Sequence, residues 1–113
     1  MAKPDAYDFY CEEALTGATP VEKLYESEQV LAFYHTKPAY ETHIVIIPKK
    51  YIHNLLHLTD ADNELVLEII RVAQQLAKDL NIEQDGARLI TNMGAFQDTP
   101  HLHFHLVSGP RKQ

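Results

Sequence analysis

The stretch that decides the reading of this chain is His101-Leu102-His103-Phe104-His105-Leu106-Val107, three histidines alternating with apolar residues and closing on an apolar pair. In extended backbone successive side chains point to opposite faces, so His101, His103 and His105 share one face and Leu102, Phe104 and Leu106 the other. One face packs and the other carries imidazoles. Three neighbouring imidazoles are costly as plain surface, because their charges repel below about pH 6.5 and a buried ring needs partners for both nitrogens. The residues alone leave three readings open. They suit a zinc or other borderline metal site, or a nucleophilic histidine with proton-handling neighbours, or a half-buried strand with incidental histidines. The regular apolar face argues against a tag-like run.

Upstream lies Leu89-Ile90-Thr91-Asn92-Met93-Gly94-Ala95-Phe96-Gln97-Asp98-Thr99-Pro100, a strand-like run, an Asn and Gly turn and a polar lead into the histidines. Further back stand Leu31-Ala32-Phe33-Tyr34-His35 and Thr42-His43-Ile44-Val45-Ile46-Ile47-Pro48-Lys49-Lys50-Tyr51-Ile52. Together these resemble the histidine triad (HIT) superfamily of nucleotide hydrolases and transferases, most closely its Hint branch of nucleoside phosphoramidate hydrolases. The resemblance runs from about Pro20 to Gly109.

The resemblance implies that His103 attacks the α-phosphorus of an AMP or GMP ester, amide or anhydride and carries a covalent nucleotidyl group. His101 and His105 then flank it as donors to non-bridging oxygens or as proton carriers. His43 matches the family's fourth histidine, which organises the triad; from the residues alone it reads as well as a satisfied histidine on a core strand. Asn92 falls on a phosphate-contacting Asn, or is a plain turn residue. Gln97 falls on the Gln that precedes the triad. Phe33 matches an aromatic of the base pocket, or is core.

Departures from the family pattern bear on substrate choice. Where the family places an Asp on the ribose hydroxyls, this chain has His35, and an imidazole cannot grip both hydroxyls as a carboxylate does. The Hint branch has a Ser after the Gln that passes a proton to the leaving amine. Here Asp98 stands at that position, followed by Thr99, and the segment from Asn92 to Gln97 is about two residues shorter than is typical of Hint sequences. Many bacterial members carry a Cys-x-x-Cys that completes a zinc site. This chain has Asp8 and Cys11 at that spacing, and a structural zinc through Asp8, Cys11, His43 and His101 is disfavoured, because a closed structural site prefers two or more thiolates. No cofactor or catalytic metal is expected.

With 113 residues the chain reads as one domain, 1–113. The net charge of −6 argues against nucleic acid as a tight partner. No apolar run of membrane-spanning length or apolar leader is evident, and the lone Cys11 excludes an internal disulfide. A cytoplasmic enzyme is expected. Along the chain we expect a short helix or turn over Asp5 to Leu15, strands over Val21 to Glu26 and Gln29 to Tyr34, and a strand from His43 to Ile47 ended by Pro48. A long helix follows, from Thr59 or Asp60 to Leu80, with Leu65, Ile69, Ala73, Leu76 and Leu80 on one stripe and Thr59 as N-cap. Ala87 to Asn92 and His101 to Val107 supply the last strands. The fold expected is α+β, an antiparallel sheet of about five strands with one long helix, as in the HIT family. The expected function is hydrolysis of a nucleoside phosphoramidate or related nucleotidyl compound, with a purine nucleotide as substrate and a homodimer as the working form. The alternatives are a catalytically weak nucleotide-binding or regulatory module, a dinucleoside polyphosphate hydrolase, or a metal-binding cluster without nucleotide chemistry.

Overall fold

The computed structural model describes residues 8–112. Five strands, β1 (Lys23–Glu26), β2 (Val30–Tyr34), β3 (Tyr40–Pro48), β4 (Ala87–Thr91) and β5 (Phe104–Arg111), form one antiparallel sheet in the order β1-β2-β3-β5-β4. The helix α1 (Asn63–Asp79) connects β3 to β4. The expected α+β architecture is the one observed.

β2 and β3 are interior strands and both of their faces are covered, which is why each reads as a nearly continuous apolar run. On one face Val30, Ala32, Ile44, Ile46, Phe104 and Leu106 pack against Leu65, Ile69, Val72 and Leu76 of α1. Burial of each such helix side chain contributes about 1.5–3 kcal/mol. On the other face Leu31, Phe33, Val45 and Ile47 meet Tyr10 and Ala14 from the N-terminal segment. That segment is a short π-helical turn, Tyr10–Ala14, closed by the Leu15 N–H on the Tyr10 carbonyl at 2.8 Å. Of the short helix expected over Asp5 to Leu15, residues 5–7 lie outside the described residues.

β1 starts at Lys23 rather than Val21, β2 at Val30 rather than Gln29 and β3 at Tyr40 rather than His43, β4 ends at Thr91 rather than Asn92, β5 runs on past Val107 to Arg111, and Thr59 caps a 3-10 turn while Asp62 is the N-cap of α1. Two further boundaries differ for identifiable reasons. The last strand begins at Phe104, not His101, because the Leu102 N–H bonds the Ile52 carbonyl at 2.6 Å and ties this stretch to the chain that follows β3. Face alternation nevertheless holds, with His103 against Tyr10 and Leu102 in the core under α1. The helix begins at Asn63 after a 3-10 turn over Asp60–Asp62, and Leu80 is its C-cap. There the Asp62 carboxylate accepts the Thr59 backbone N–H at 3.0 Å and is held by the Lys50 ammonium at 2.7 Å. Gly109, at φ +80, passes close over Glu41 where the β3–β5 register shifts.

Candidate active site

The site is built on the sheet face turned away from α1. Phe33, Val45 and His105 pair in one row across β2, β3 and β5. Two residues further along β3, and in the loop that leaves β2, stand His43 and His35, with ring centroids 4.3 Å apart. On the opposite side of His105 lies His103, ring centroids 4.9 Å apart and nearly perpendicular. Tyr10 covers His103 at 4.9 Å. These residues leave a cleft of about 420 Å³ with Phe9, Tyr10, Phe33 and Val45 as its apolar wall. His35, Thr36, Lys37, Asp98, Thr99, His103 and His105 form its polar wall.

The hydrogen-bond network assigns the protons on these rings. His103 Nδ1 lies 2.7 Å from the His101 carbonyl, which only accepts, so Nδ1 carries the proton and Nε2 keeps its lone pair. The Ala39 backbone N–H donates to His43 Nδ1 at 2.9 Å, which puts the His43 proton on Nε2. That nitrogen is 2.8 Å from His105 Nδ1, which therefore accepts, leaving the His105 proton on its own Nε2. The Lys37 N–H likewise occupies His35 Nδ1 at 2.9 Å. One ring of the group keeps a free basic nitrogen and another offers a donor. Burial keeps the rings neutral: it is the main cause that lowers His43 to about 4 and His105 to about 3, with neighbouring histidines adding to the effect. His103 and His35 are also pulled below the ordinary imidazole range, chiefly by burial.

His101 is a different case from the other two triad histidines. It is fully buried and does not line the cleft. Its Nε2 donates to the Pro48 carbonyl at 2.8 Å, and its Nδ1 faces Asp8 Oδ2 at 3.0 Å and Cys11 Sγ at 3.1 Å. It braces the end of β3 and the N-terminal turn behind His103. Gln97 is also a brace. Its Nε2 donates to the carbonyls of His53 at 2.7 Å and Thr99 at 2.9 Å, and its Oε1 accepts from Asn54 at 3.3 Å. Asn92 is half-buried beyond the end of β4, and neither it nor Gln97 lines the cleft. The structure does bring Phe33, His35, Asp98, Thr99, His103 and His105 into one cleft, with His43 behind His105.

The sequence reading missed five further cleft residues, Phe9, Tyr10, Thr36, Lys37 and Val45. Val45 was accessible to it, since it alternates with His43 on one strand. Thr36 and Lys37 follow His35 and carry no pattern of their own. Phe9 and Tyr10 arrive from the N-terminal turn, well before β2 in sequence, and no local periodicity announces them.

The four-residue zinc set that the sequence reading disfavoured is not assembled. His43 belongs with His35 and His105, whereas Asp8, Cys11 and His101 form a separate trio whose donor atoms lie within 4.8 Å of one another. Imidazole, carboxylate and thiol are ligand types that suit a cation, and here His101 Nδ1 pairs with the Asp8 carboxylate at 3.0 Å. Among the described residues the trio falls one donor short of a closed tetrahedral site, and the Tyr51 and Tyr10 rings lie 5.8 and 5.9 Å from the His101 ring. Burial, followed by the Asp8 hydrogen bond, pushes the Cys11 thiol up to about 12.

Among the described residues no helix is long and apolar enough to cross a membrane. The model of the HIT domain family matches residues 16–112. An uncharacterized HIT-like protein of Helicobacter pylori is 33% identical over 102 residues, covering 88% of this chain and 95% of that protein. A HIT family hydrolase from Clostridium thermocellum superposes with a TM-score of 0.84 at 33% identity, over 96% of this chain and 94% of the other. A histidine triad nucleotide-binding protein from Candida albicans gives a TM-score of 0.77 at 29% identity, over 88% of this chain and 73% of the other. Fold, histidine run and sequence agree, and the chain belongs to the histidine triad (HIT) family.

Proposed function

We propose that this chain is a nucleotidyl hydrolase of the phosphoramidase type, most like the Hint branch, acting on a purine nucleotide as a cytoplasmic homodimer. The observation that carries the reading is the hydrogen bond from His103 Nδ1 to the His101 carbonyl, which leaves Nε2 as a free nucleophile at the floor of a cleft. In the first step the Nε2–phosphorus bond forms and the bond from phosphorus to the leaving nitrogen or oxygen breaks. The leaving group departs with a proton drawn from water at the open mouth. In the second step water attacks phosphorus, the Nε2–phosphorus bond breaks and the water proton returns to solvent. Splitting the displacement in two replaces one difficult attack on a charged phosphorus by two easier ones. His105 Nε2–H, held by the His43 relay, donates to a non-bridging oxygen as charge develops. Phe33 and Val45 offer a flat apolar wall to the base.

The reading is tested by incubating the protein with an AMP phosphoramidate and following amine release. We expect turnover by the native chain, a nucleotidyl adduct on His103 in acid-quenched samples by mass spectrometry, and no turnover by His103→Ala with an unchanged circular dichroism spectrum. Wild-type rates in that variant overturn the covalent mechanism. Binding of AMP without any turnover by the native chain favours the regulatory-module reading, which the replacement of a ribose-gripping carboxylate by His35 supports.

A further inference from the structure

We propose that Asp98 makes this cleft selective for substrates whose leaving group carries a positive charge, such as nucleoside phosphoramidates of diamines or of basic amino compounds. The inference rests on the proposed function and specifies its substrate class. His103 is 4% exposed and forms the floor, so a group displaced in line with its Nε2 must leave outward, toward the mouth. Among the described residues lining the cleft, Asp98, which is exposed, is the one acid and Lys37 the one ammonium. Lys37 stands in the loop that leaves β2 and Asp98 in the loop that enters β5, and both line the cleft. The mouth is thus bipolar.

The Asp98 charge reaches three groups of the cleft. Burial is the largest influence on the His103, His35 and Tyr10 rings, and the Asp98 charge is felt at all three. A carboxylate so placed repels the phosphate that must approach His103, unless a cation offsets it. Within the cleft His103 and His105 are neutral, and the Lys37 ammonium is carried by a different loop from Asp98. A leaving group with its own ammonium supplies the offset where it is needed, and an anionic leaving group adds to the repulsion.

The test compares kcat/KM for the native chain on three AMP phosphoramidates of matched length, made from hexylamine, from a hexane diamine through one nitrogen, and from aminohexanoate. Assays run in EDTA so that a metal ion cannot bridge carboxylate and phosphate. The diamine compound should exceed the hexylamine compound by about three- to fivefold, the range of one partly exposed ion pair, and the aminohexanoate compound should fall below it by a similar factor. Asp98→Asn should bring all three rates together, and rising salt should compress the native ratios. Equal rates for the three compounds, or a diamine preference that survives in Asp98→Asn, overturn the assignment to Asp98 while leaving the phosphoramidase reading intact. Failure of all three compounds to turn over overturns the phosphoramidase reading itself.

Discussion

His43 Nε2 lies 2.8 Å from His105 Nδ1, and the Ala39 backbone N–H on the other side of the His43 ring fixes the direction of that hydrogen bond. A backbone amide thereby determines that His105 presents a donor, not a lone pair, at Nε2. In the mechanism proposed above, His43 is a positioning residue that acts through His105.

His43→Phe keeps a ring of similar size and removes the donor, so His105 loses its fixed tautomer. We expect kcat to fall by about ten- to a hundredfold with KM changed far less, as for the loss of one aligned donor in the transition state. Steady-state kinetics on an AMP phosphoramidate decide it. An unchanged kcat removes the relay from the mechanism.

Acidification should destabilise the fold. His43 and His105 are depressed to about 4 and about 3 in the folded chain, mainly by burial, against about 6.5 when unfolded. Between those values the unfolded chain binds more protons, so stability is complete above about pH 6.5 and is lost as the pH falls toward 4 and 3. Thermal melts at pH 7.5 and pH 5 should show a lower Tm at pH 5, and His105→Phe should flatten that dependence. Equal slopes for native chain and variant would count against it.

Gly109→Ala places a Cβ 2.6 Å from Glu41 Oε1 and 2.9 Å from Glu41 Cβ, at a backbone φ of +80. The expected cost is about 1–3 kcal/mol, a fall in Tm of at least about 4 °C for a domain of this size. A Tm within a degree of the native value means that Glu41 swings clear and the strand tolerates the strain.

β4 is an edge strand, and Leu89 in it is 38% exposed; nearby in sequence Phe96 is 81% exposed, and Leu67 and Ile70 lie exposed on α1. Pairing two copies through β4 and α1 covers both features. Light scattering at micromolar concentration should give twice the 12.9 kDa chain mass, and Leu89→Lys with Ile70→Glu should give a monomer. A native monomer refutes the pairing.

Dialysis against EDTA should leave turnover unchanged, because both His43 nitrogens and His105 Nδ1 are already hydrogen-bonded, to Ala39 and to each other, and the Asp8, Cys11 and His101 trio lies outside the cleft. Any metal held by that trio should alter Tm alone. Loss of turnover that zinc restores would place a metal in the reaction.

The sequence by itself determined the two faces of the sheet, since alternation through Leu102 to Leu106 and the unbroken apolar runs of β2 and β3 follow from the period of extended backbone. It also determined the stripe of α1 through Leu65, Ile69, Ala73 and Leu76, and it marked His103 and His105 as a site, because these are local regularities written in neighbouring residues. Only the tertiary structure decided what each histidine does. His101, with the same spacing as its fellows, is turned into a brace by the Pro48 carbonyl and the N-terminal turn, both remote in sequence. Gln97 and His43 are likewise assigned by partners 44 and 62 residues away. A ring's role depends on which nitrogen holds the proton, and that is set by the groups folding brings against it.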